Sequence, residues 1–363
     1  MSERHVLQIV PQLPGTLDGV GDYALNLARA LSAQHDLTTV FAVARQTPVE
    51  LKEGFQVVSD LGEDAAASLA RECDHVILHY VNYGYQARGV PFSLRRFARE
   101  LRAQLRGRWV TTFHEIYASG PPWKSEFWLR PFQVKIARDF IDLSDACFVS
   151  NVTIENEIHR HDAGKKVYLA PVMSNLGEPT LSDFGSNSPK RWAICGGNAS
   201  IARSLLSFER MRQLIPNAFR PDRLDVIGGR TDSSTPALLA RLPGLSCHYH
   251  PEVTAEEASA LLAQCSFAWL DYFGTGKVWP GMVLKSGVFA ACAAHGIVPI
   301  LSHREDAFGV EGDPFPGPWF MTPSAVHFPA PAQLKEIREK IYAWYQAHAA
   351  SPRLAHLYAE ALT

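Results

Sequence analysis

Short apolar runs alternate with longer amphipathic segments along most of this chain, and no other feature narrows its fold so far. A short, almost continuously apolar run suits a strand buried on both faces, and the amphipathic segment after it suits a helix covering one of those faces. In the first half, strands are expected at 5–11, 37–44, 75–81, 108–114 and 146–151, with helices at 22–34, 93–106 and 132–143. The rhythm stops in a polar, turn-rich stretch, Ser174-Asn-Leu-Gly-Glu-Pro-Thr-Leu-Ser-Asp-Phe-Gly-Ser-Asn-Ser-Pro-Lys190, which reads as a linker. It then restarts, with strands at 191–196, 224–228, 266–272 and 297–302, helices at 201–214, 255–264 and 283–294, and a last helical region at 332–349 and 352–362. Strand–helix alternation builds parallel sheets covered on both faces. The expected fold is therefore α/β, with two Rossmann-like doubly wound domains facing across a cleft. The expected boundaries are 1–175 for the first domain, 176–190 for the linker and 191–345 for the second domain.

A chain of 363 residues is long for one core, which also favours two domains. Hydrophobic residues make up 47% and charged residues 20%, which excludes a disordered chain. A formal charge of -2 exerts no overall pull on nucleic acid, so none is expected as a partner. The six cysteines are far apart and form no Cys-x-x-Cys pair. They read as reduced core residues rather than a disulfide or zinc framework. No apolar run is long enough for a signal peptide or a membrane span, so a cytoplasmic location is expected.

Two glycine-bearing stretches lie in opposite halves: Gly15-Thr-Leu-Asp-Gly-Val-Gly-Asp-Tyr23 and Gly276-Lys-Val-Trp-Pro-Gly-Met-Val-Leu-Lys-Ser286. In the first, Gly19 and Gly21 let backbone amides at a helix start approach an anion or sugar closely. Asp22 is a further candidate there, or else the helix N-cap. Gly19-Val-Gly-Asp-Tyr-Ala24 also fits a dinucleotide fingerprint, with Arg45 placed for a 2′-phosphate. An eight-residue intervening loop, 11–18, argues against that NADP-dependent oxidoreductase reading. His114 and Glu115 emerge at the carboxyl end of a strand, where ligand groups gather in parallel sheets. Downstream, 118–128 reads as a loop with exposed aromatics. Upstream, Arg95, Arg96, Arg99, Arg102, Arg106 and Arg108 crowd one helix and its exit. That combination suits an anionic membrane surface or a phosphate-bearing acceptor, so peripheral contact at the inner face of the membrane is expected through the Arg95-to-Arg108 region.

In the second half, Trp192-Ala-Ile-Cys-Gly-Gly-Asn-Ala-Ser-Ile-Ala-Arg203 reads as strand, glycine turn and helix. The amides of Gly196 and Gly197 and the guanidinium of Arg203 could face a diphosphate. His250 is expected to border a base pocket. Gly274-Thr-Gly-Lys277 is not a P-loop, because Asp271 and Val278 stand where the pattern needs Gly and Ser or Thr. Lys277, Lys285 and Ser286 remain as groups suited to charge on a departing diphosphate.

Three segments carry a family resemblance: Gly15-Thr-Leu-Asp-Gly-Val-Gly-Asp-Tyr-Ala-Leu-Asn-Leu-Ala-Arg-Ala-Leu31, Phe113-His-Glu115 and Lys285-Ser-Gly-Val-Phe-Ala-Ala-Cys-Ala-Ala-His-Gly-Ile-Val-Pro299. They resemble the GT-B-fold glycosyltransferases, particularly glycosyltransferase family 4. The resemblance implies a metal-independent, retaining hexosyl transfer from a nucleoside-diphosphate sugar, held mainly by the second domain, to a hydroxyl acceptor held mainly by the first. It also implies a C-terminal helix, 346–363, that returns to the first domain. It implies no cofactor beyond the donor. By position, Gly19 and Gly21 would lie under the sugar and diphosphate, His114 near the reacting centre and Arg203 on the diphosphate. The chain departs from the family where two glutamates are usual: Val283 and Ala291 occupy those places. Lys285 and Ser286 would then supply a different grip on the donor. If transfer inverts, Glu115 or His114 is the available base. The alternatives are a nucleotide-sugar epimerase or hydrolase on the same fold, and a non-catalytic sugar-nucleotide binding protein.

Overall fold

A computed structural model describes residues 4–14, 19–44, 54–59, 61–118, 120–274, 278–304, 306–317 and 319–363, with 63, 64 and 319 described by their backbone. The chain clusters into two compact units, Met1–Pro171 with Ser351–Thr363, and Val172–Ala350.

The first unit contains β1 (Arg4–Val10), α1 (Gly19–His35), β2 (Leu37–Val43), β3 (Gln56–Val58), α2 (Glu63–Glu72), β4 (His75–Tyr80) and α3 (Asn82–Tyr85). It continues with α4 (Phe92–Gln104), β5 (Trp109–Phe113), α5 (Ser125–Leu143), β6 (Ala146–Val149), α6 (Val152–His161) and β7 (Lys166–Leu169). All seven strands are parallel, in the order β3-β2-β1-β4-β5-β6-β7. The middle strands have both faces covered: Val6, Leu7, Ile9 and Val10 of β1 are fully buried, as are Val76, Ile77 and Leu78 of β4. The strand order reverses between β1 and β4, and such a switch point is where open α/β sheets leave a crevice at their carboxyl ends.

The second unit repeats the plan with β8 (Arg191–Cys195), α7 (Asn198–Met211), β9 (Arg223–Ile227), α8 (Ser234–Leu239), β10 (Ser246–His250), α9 (Ala255–Leu262), β11 (Phe267–Leu270) and α10 (Gly287–Ala294). Then come β12 (Val298–Leu301), the small hairpin β13 (Gly309–Val310) and β14 (Asp313–Pro314), β15 (Trp319–Thr322), β16 (Ala325–Val326) and α11 (Leu334–His348). The order is β10-β9-β8-β11-β12-β15-β16, parallel except for β16. Its switch point falls between β8 and β11.

The last helix, α12 (Ser351–Ala361), belongs to the first unit. Its Tyr358 is fully buried, with its ring stacked on Phe148 at 3.8 Å between centroids. The described chain changes unit at 171/172, and the turn-rich stretch 176–190 clusters with the second unit. Arg338 of α11 ties the middle of that stretch to the second unit: it donates to the carbonyls of Phe184 and Gly296, both at 2.8 Å.

Three of the helix starts that differ from the sequence expectation change the place of a candidate residue. α1 begins at Gly19 rather than 22, so Asp22 lies in the first turn and is not the N-cap. α5 begins at Ser125 rather than 132 and keeps Pro131 inside, so Phe127 and Trp128 are helical residues rather than loop residues. The expected helix at 283–294 is instead a 3-10 turn, Pro280–Lys285, followed by α10 from Gly287, because the Ser286 side chain accepts from the Phe289 amide and caps a new start.

Candidate functional site

At the switch point of the first unit, polar side chains replace apolar ones inside the sheet. Gln8 of β1, Thr39 of β2 and His79 of β4 are fully buried. The pairing of β1 with β2 and β4 brings them into line. Gln8 Nε2 donates to Thr39 Oγ1 at 3.2 Å, and Gln8 Oε1 lies 2.8 Å from His79 Nε2. An amide oxygen can only accept, so in this arrangement His79 carries its hydrogen on Nε2. His79 Nδ1 then accepts from His114 Nε2, 3.2 Å away, and the two rings stack at 5.5 Å. The buried line therefore sets which ring nitrogen of His114 carries hydrogen and leaves the lone pair on Nδ1. Burial, reinforced by the neighbouring His114, holds His79 well below the usual imidazole pKa, so it stays neutral.

His114 sits half-buried just past β5, its amide bonded to the Tyr80 carbonyl at 3.0 Å. Tyr23 of α1 presents ring edges to both imidazoles, 5.8 Å from His79 and 5.2 Å from His114. Its hydroxyl lies 3.2 Å from that of Tyr358, which lies 2.5 Å from Thr112 Oγ1. Burial drives the Tyr23 hydroxyl pKa upward, so it remains protonated. The glycine-led helix and the histidine strand end thus meet in one place. Gly21 is needed there for closeness: a Cβ would come within 2.8 Å of the Gln12 carbonyl oxygen. Gly19 faces open space, and Glu115 is exposed beside His114.

The second unit builds its switch point from backbone. Gly196 has φ +135°, and Gly197 precedes α7, with nothing within 4 Å of where its Cβ would be. Gly228 at φ +96° packs so closely that a Cβ would meet the Gly196 carbonyl oxygen at 2.8 Å. Val288, in the first turn of α10, lies 3.5 Å from the Cβ position of Gly196, and Ser200 of α7 lies 3.3 Å from it. Two helix N-termini therefore converge on one glycine turn, where amide hydrogens and helix dipoles favour an anion. Arg203 is held at the exit of β11: its Nε donates to the Asp271 carbonyl at 2.5 Å and a terminal nitrogen to the Tyr272 carbonyl at 3.3 Å.

Other candidates have structural partners. His250 Nε2 lies 3.0 Å from Asp225 Oδ1, a fully buried carboxylate that also takes hydrogen bonds from Arg191 at 2.8 Å and Arg223 at 2.9 and 3.0 Å. Burial alone would raise the Asp225 pKa, but the bonds from Arg223, His250 and Arg191 outweigh it and hold the carboxyl at about 2. The His250 ring, 26% exposed, is thereby anchored to β9 through Nε2. Ser286 is buried and its oxygen is engaged as the α10 cap. Lys285 is half-buried one residue before that cap. Lys277 and Arg45 lie outside the described residues. Val283 and Ala291, at the places of the family glutamates, are fully buried, and Ala291 packs in a core cluster with Cys195, Cys292 and Ile297. Among the described residues, no three His, Cys, Asp or Glu side chains form a group able to hold a metal ion.

The basic helix differs from the sequence reading. Arg95 and Arg99 of α4 both bind Asp139, the latter at 2.7 Å, while Arg102 binds Asp145 at 3.1 Å and Arg108 approaches it at 3.8 Å. Three cations of α4, and Arg108 beyond its end, therefore lie against carboxylates of the same unit. Sequence reasoning missed Gln8, Thr39, Tyr23 and His79. The available signal was a polar residue inside an otherwise apolar run, at Gln8 and again at His79.

No protein-family model matches the chain, and no curated protein sequence matches it. Solved structures do. An alpha-glucosyltransferase in complex with UDP-glucose and DNA containing an abasic site superposes with TM-score 0.64 at 12% identity, over 99% of each chain. The N-terminal domain of trehalose-6-phosphate phosphatase from Candida albicans gives 0.58 at 11% identity, over 100% of this chain and 97% of that one. WaaG, a glycosyltransferase involved in lipopolysaccharide biosynthesis, gives 0.50 at 10% identity, over 99% of each. These likenesses, with the two doubly wound parallel sheets, define the fold as GT-B.

Proposed function

We propose that the protein is a glycosyltransferase that moves a sugar from a nucleoside diphosphate to an acceptor hydroxyl. The observation that carries this reading is the glycine turn of the second unit, where the N-termini of α7 and α10 converge next to the strand exit that holds Arg203. When the bond between the sugar carbon and the diphosphate oxygen breaks, negative charge builds on the departing oxygens. Amides and fixed cations aimed at that charge lower the barrier. In this reading Gly197, Arg203 and Lys285 hold the diphosphate, while Gly196, whose own amide donates to the Ile227 carbonyl at 3.2 Å, shapes the turn. The first unit supplies His114 to the sugar, with Gly19 and Gly21 beneath it and Glu115 next in line. The acceptor proton passes to the leaving diphosphate if the anomeric configuration is retained, or to His114 or Glu115 if it inverts. The likeness of the fold to an alpha-glucosyltransferase in complex with UDP-glucose supports the donor class.

The test is a melting-temperature panel of nucleoside diphosphates and their sugars, since a ligand that prefers the folded chain raises its stability. A clear shift with one diphosphate and its sugar is expected. Acceptor-dependent release of that diphosphate should follow, undiminished by a chelator. A panel in which no nucleotide shifts the melting temperature rejects the proposal.

A further inference from the structure

The start of α5 is built inside out. Its second half buries Ile136, Ala137, Phe140 and Ile141, as an amphipathic helix should. In the first half the polar Gln133 points inward, fully buried, accepting from the Ala118 amide at 3.0 Å and donating to Tyr83 and the Arg88 carbonyl, both at 3.2 Å. The apolar side chains Phe127, Trp128 and Phe132 point outward, with exposures of 43%, 68% and 51%. Trp123, just before the helix, is 82% exposed, and Phe92 at the start of α4 is 51% exposed. Phe92 meets Phe132 at 6.3 Å between ring centroids, and Phe127 meets Trp128 at 5.3 Å. Of the large hydrophobic side chains exposed among the described residues, only Val57 and Leu214 lie elsewhere. Such clustering marks an interaction surface rather than the scattered apolar residues of any protein exterior.

Charge selects the partner. Lys124 precedes the aromatic stripe, and Lys135 and Arg138 continue it along α5; all three are exposed. Arg130 lies over the Tyr117 ring at 5.3 Å, and the half-buried Glu126 is the acid within the stripe. A nucleic acid would need a row of cations along its phosphates, but Arg95, Arg99 and Arg102 of the adjoining α4 are bound to Asp139 and Asp145. A symmetric dimer through this patch would set four cations, Lys124, Arg130, Lys135 and Arg138, and one acid, Glu126, against the same net positive set, an unfavourable like-charge pairing. Aromatic rings flanked by lysine and arginine, on a unit with no helix able to cross a membrane among the described residues, fit the interfacial zone of a bilayer.

We propose that the face formed by Phe92, Trp123, Phe127, Trp128 and Phe132 seats the protein on an anionic phospholipid surface. The rings enter the headgroup zone, and Lys124, Lys135 and Arg138 meet the lipid phosphates. This inference stands apart from sugar transfer and holds whether or not that reading does. The experiment is co-sedimentation of the full chain with phosphatidylcholine vesicles, with and without phosphatidylglycerol. Binding is expected to both and to be tighter with phosphatidylglycerol. Trp123→Ala with Trp128→Ala should lower the partition coefficient on the order of tenfold or more, since each change removes a large apolar side chain from the interface. Lys135→Glu with Arg138→Glu should remove the preference for the anionic lipid and leave the weaker binding intact. These side chains are exposed, so circular dichroism and melting temperature should not change. The proposal is overturned if neither vesicle binds the protein, or if the tryptophan variant partitions as the parent does. It is also overturned if the same substitutions abolish self-association or single-stranded DNA binding while vesicle binding is absent.

Discussion

The two switch points share one topology and are furnished in opposite ways. In the first unit the crevice between β1 and β4 is lined with side chains, a buried row of Thr39, Gln8 and His79 that ends on the half-buried His114 and is braced by Tyr23. In the second, the corresponding place between β8 and β11 is bare backbone, Gly196 and Gly197 at the start of α7, with the first turn of α10 alongside. A side-chain row can orient one imidazole and fix its tautomer, which suits contact with a specific sugar atom. A glycine turn at helix starts offers backbone amides and room for an anion rather than a row of oriented side chains, which suits a diphosphate that could carry different bases and sugars. In the proposed reading, the same sheet order thus serves discrimination in one unit and general anion binding in the other.

The comparison breaks most sharply at His114. His114→Ala should lower the turnover number by roughly 10²–10⁴-fold, as expected when a positioned acid–base or polar contact is lost. Its melting temperature should barely move, and an unaltered turnover number would remove His114 from the chemistry.

Next in size is Asp225→Asn, which leaves Arg191 and Arg223 facing a neutral amide. Denaturant unfolding near neutral pH should lose about 3 kcal/mol, the range for breaking a buried ion pair. Because the Asp225 carboxyl is held at about 2, below its unfolded value near 3.9, its stabilisation is complete above about pH 4 and is lost as pH falls toward 2. The gap between parent and variant should therefore narrow in acid. A constant gap from pH 7 to pH 3 would mean that the charge contributes nothing.

Arg203→Ala should weaken nucleoside-diphosphate binding by about tenfold to a hundredfold, the range for hydrogen bonds to a charged group. Calorimetric titration reads it, and full affinity in the variant would confine Arg203 to bracing the exit of β11.

His79→Phe, which cuts the row behind His114, should lower the turnover number about fivefold, with His79→Gln recovering part of the loss. Binding of nucleoside diphosphate alone should not change. The neutral form of His79 is favoured in the fold, so its contribution to stability is full above about pH 6.5 and declines as pH falls below that. The Phe variant should lack this acid-side decline. The smallest effect is expected for Lys285→Ala, roughly a two- to fivefold loss of diphosphate affinity for a half-exposed cation. No loss at all would leave the turn to the amides.

Much of the fold could be read directly. The central strands β1, β2, β4, β5, β8 and β11 are near-continuous apolar runs because both faces are covered, and each was placed to within one or two residues. The edge strands were not legible: β3 and β10, Gln56-Val-Val58 and Ser246-Cys-His-Tyr-His250, carry partly exposed side chains, so no apolar run marks them. α6 was also missed, although Asn151 caps it through the Ile154 amide. For the site, the glycine turns and the His114 strand end stood out as departures from an apolar pattern. The partner of His250 could not be read from its neighbours in sequence, because Asp225 is 25 positions away on β9.

By itself the sequence determined the alternation of strands and helices and the positions of its glycines. These are local properties: side-chain periodicity, and backbone angles such as φ +135° and +96° at Gly196 and Gly228 that glycine adopts without strain. Tertiary structure alone decided which polar side chains meet. Gln8 and His79 are 71 positions apart, and His79 and His114 are 35 apart. Only the parallel pairing of β1, β4 and β5 brings them within hydrogen-bond distance, and only burial in that sheet forces them to satisfy one another instead of water.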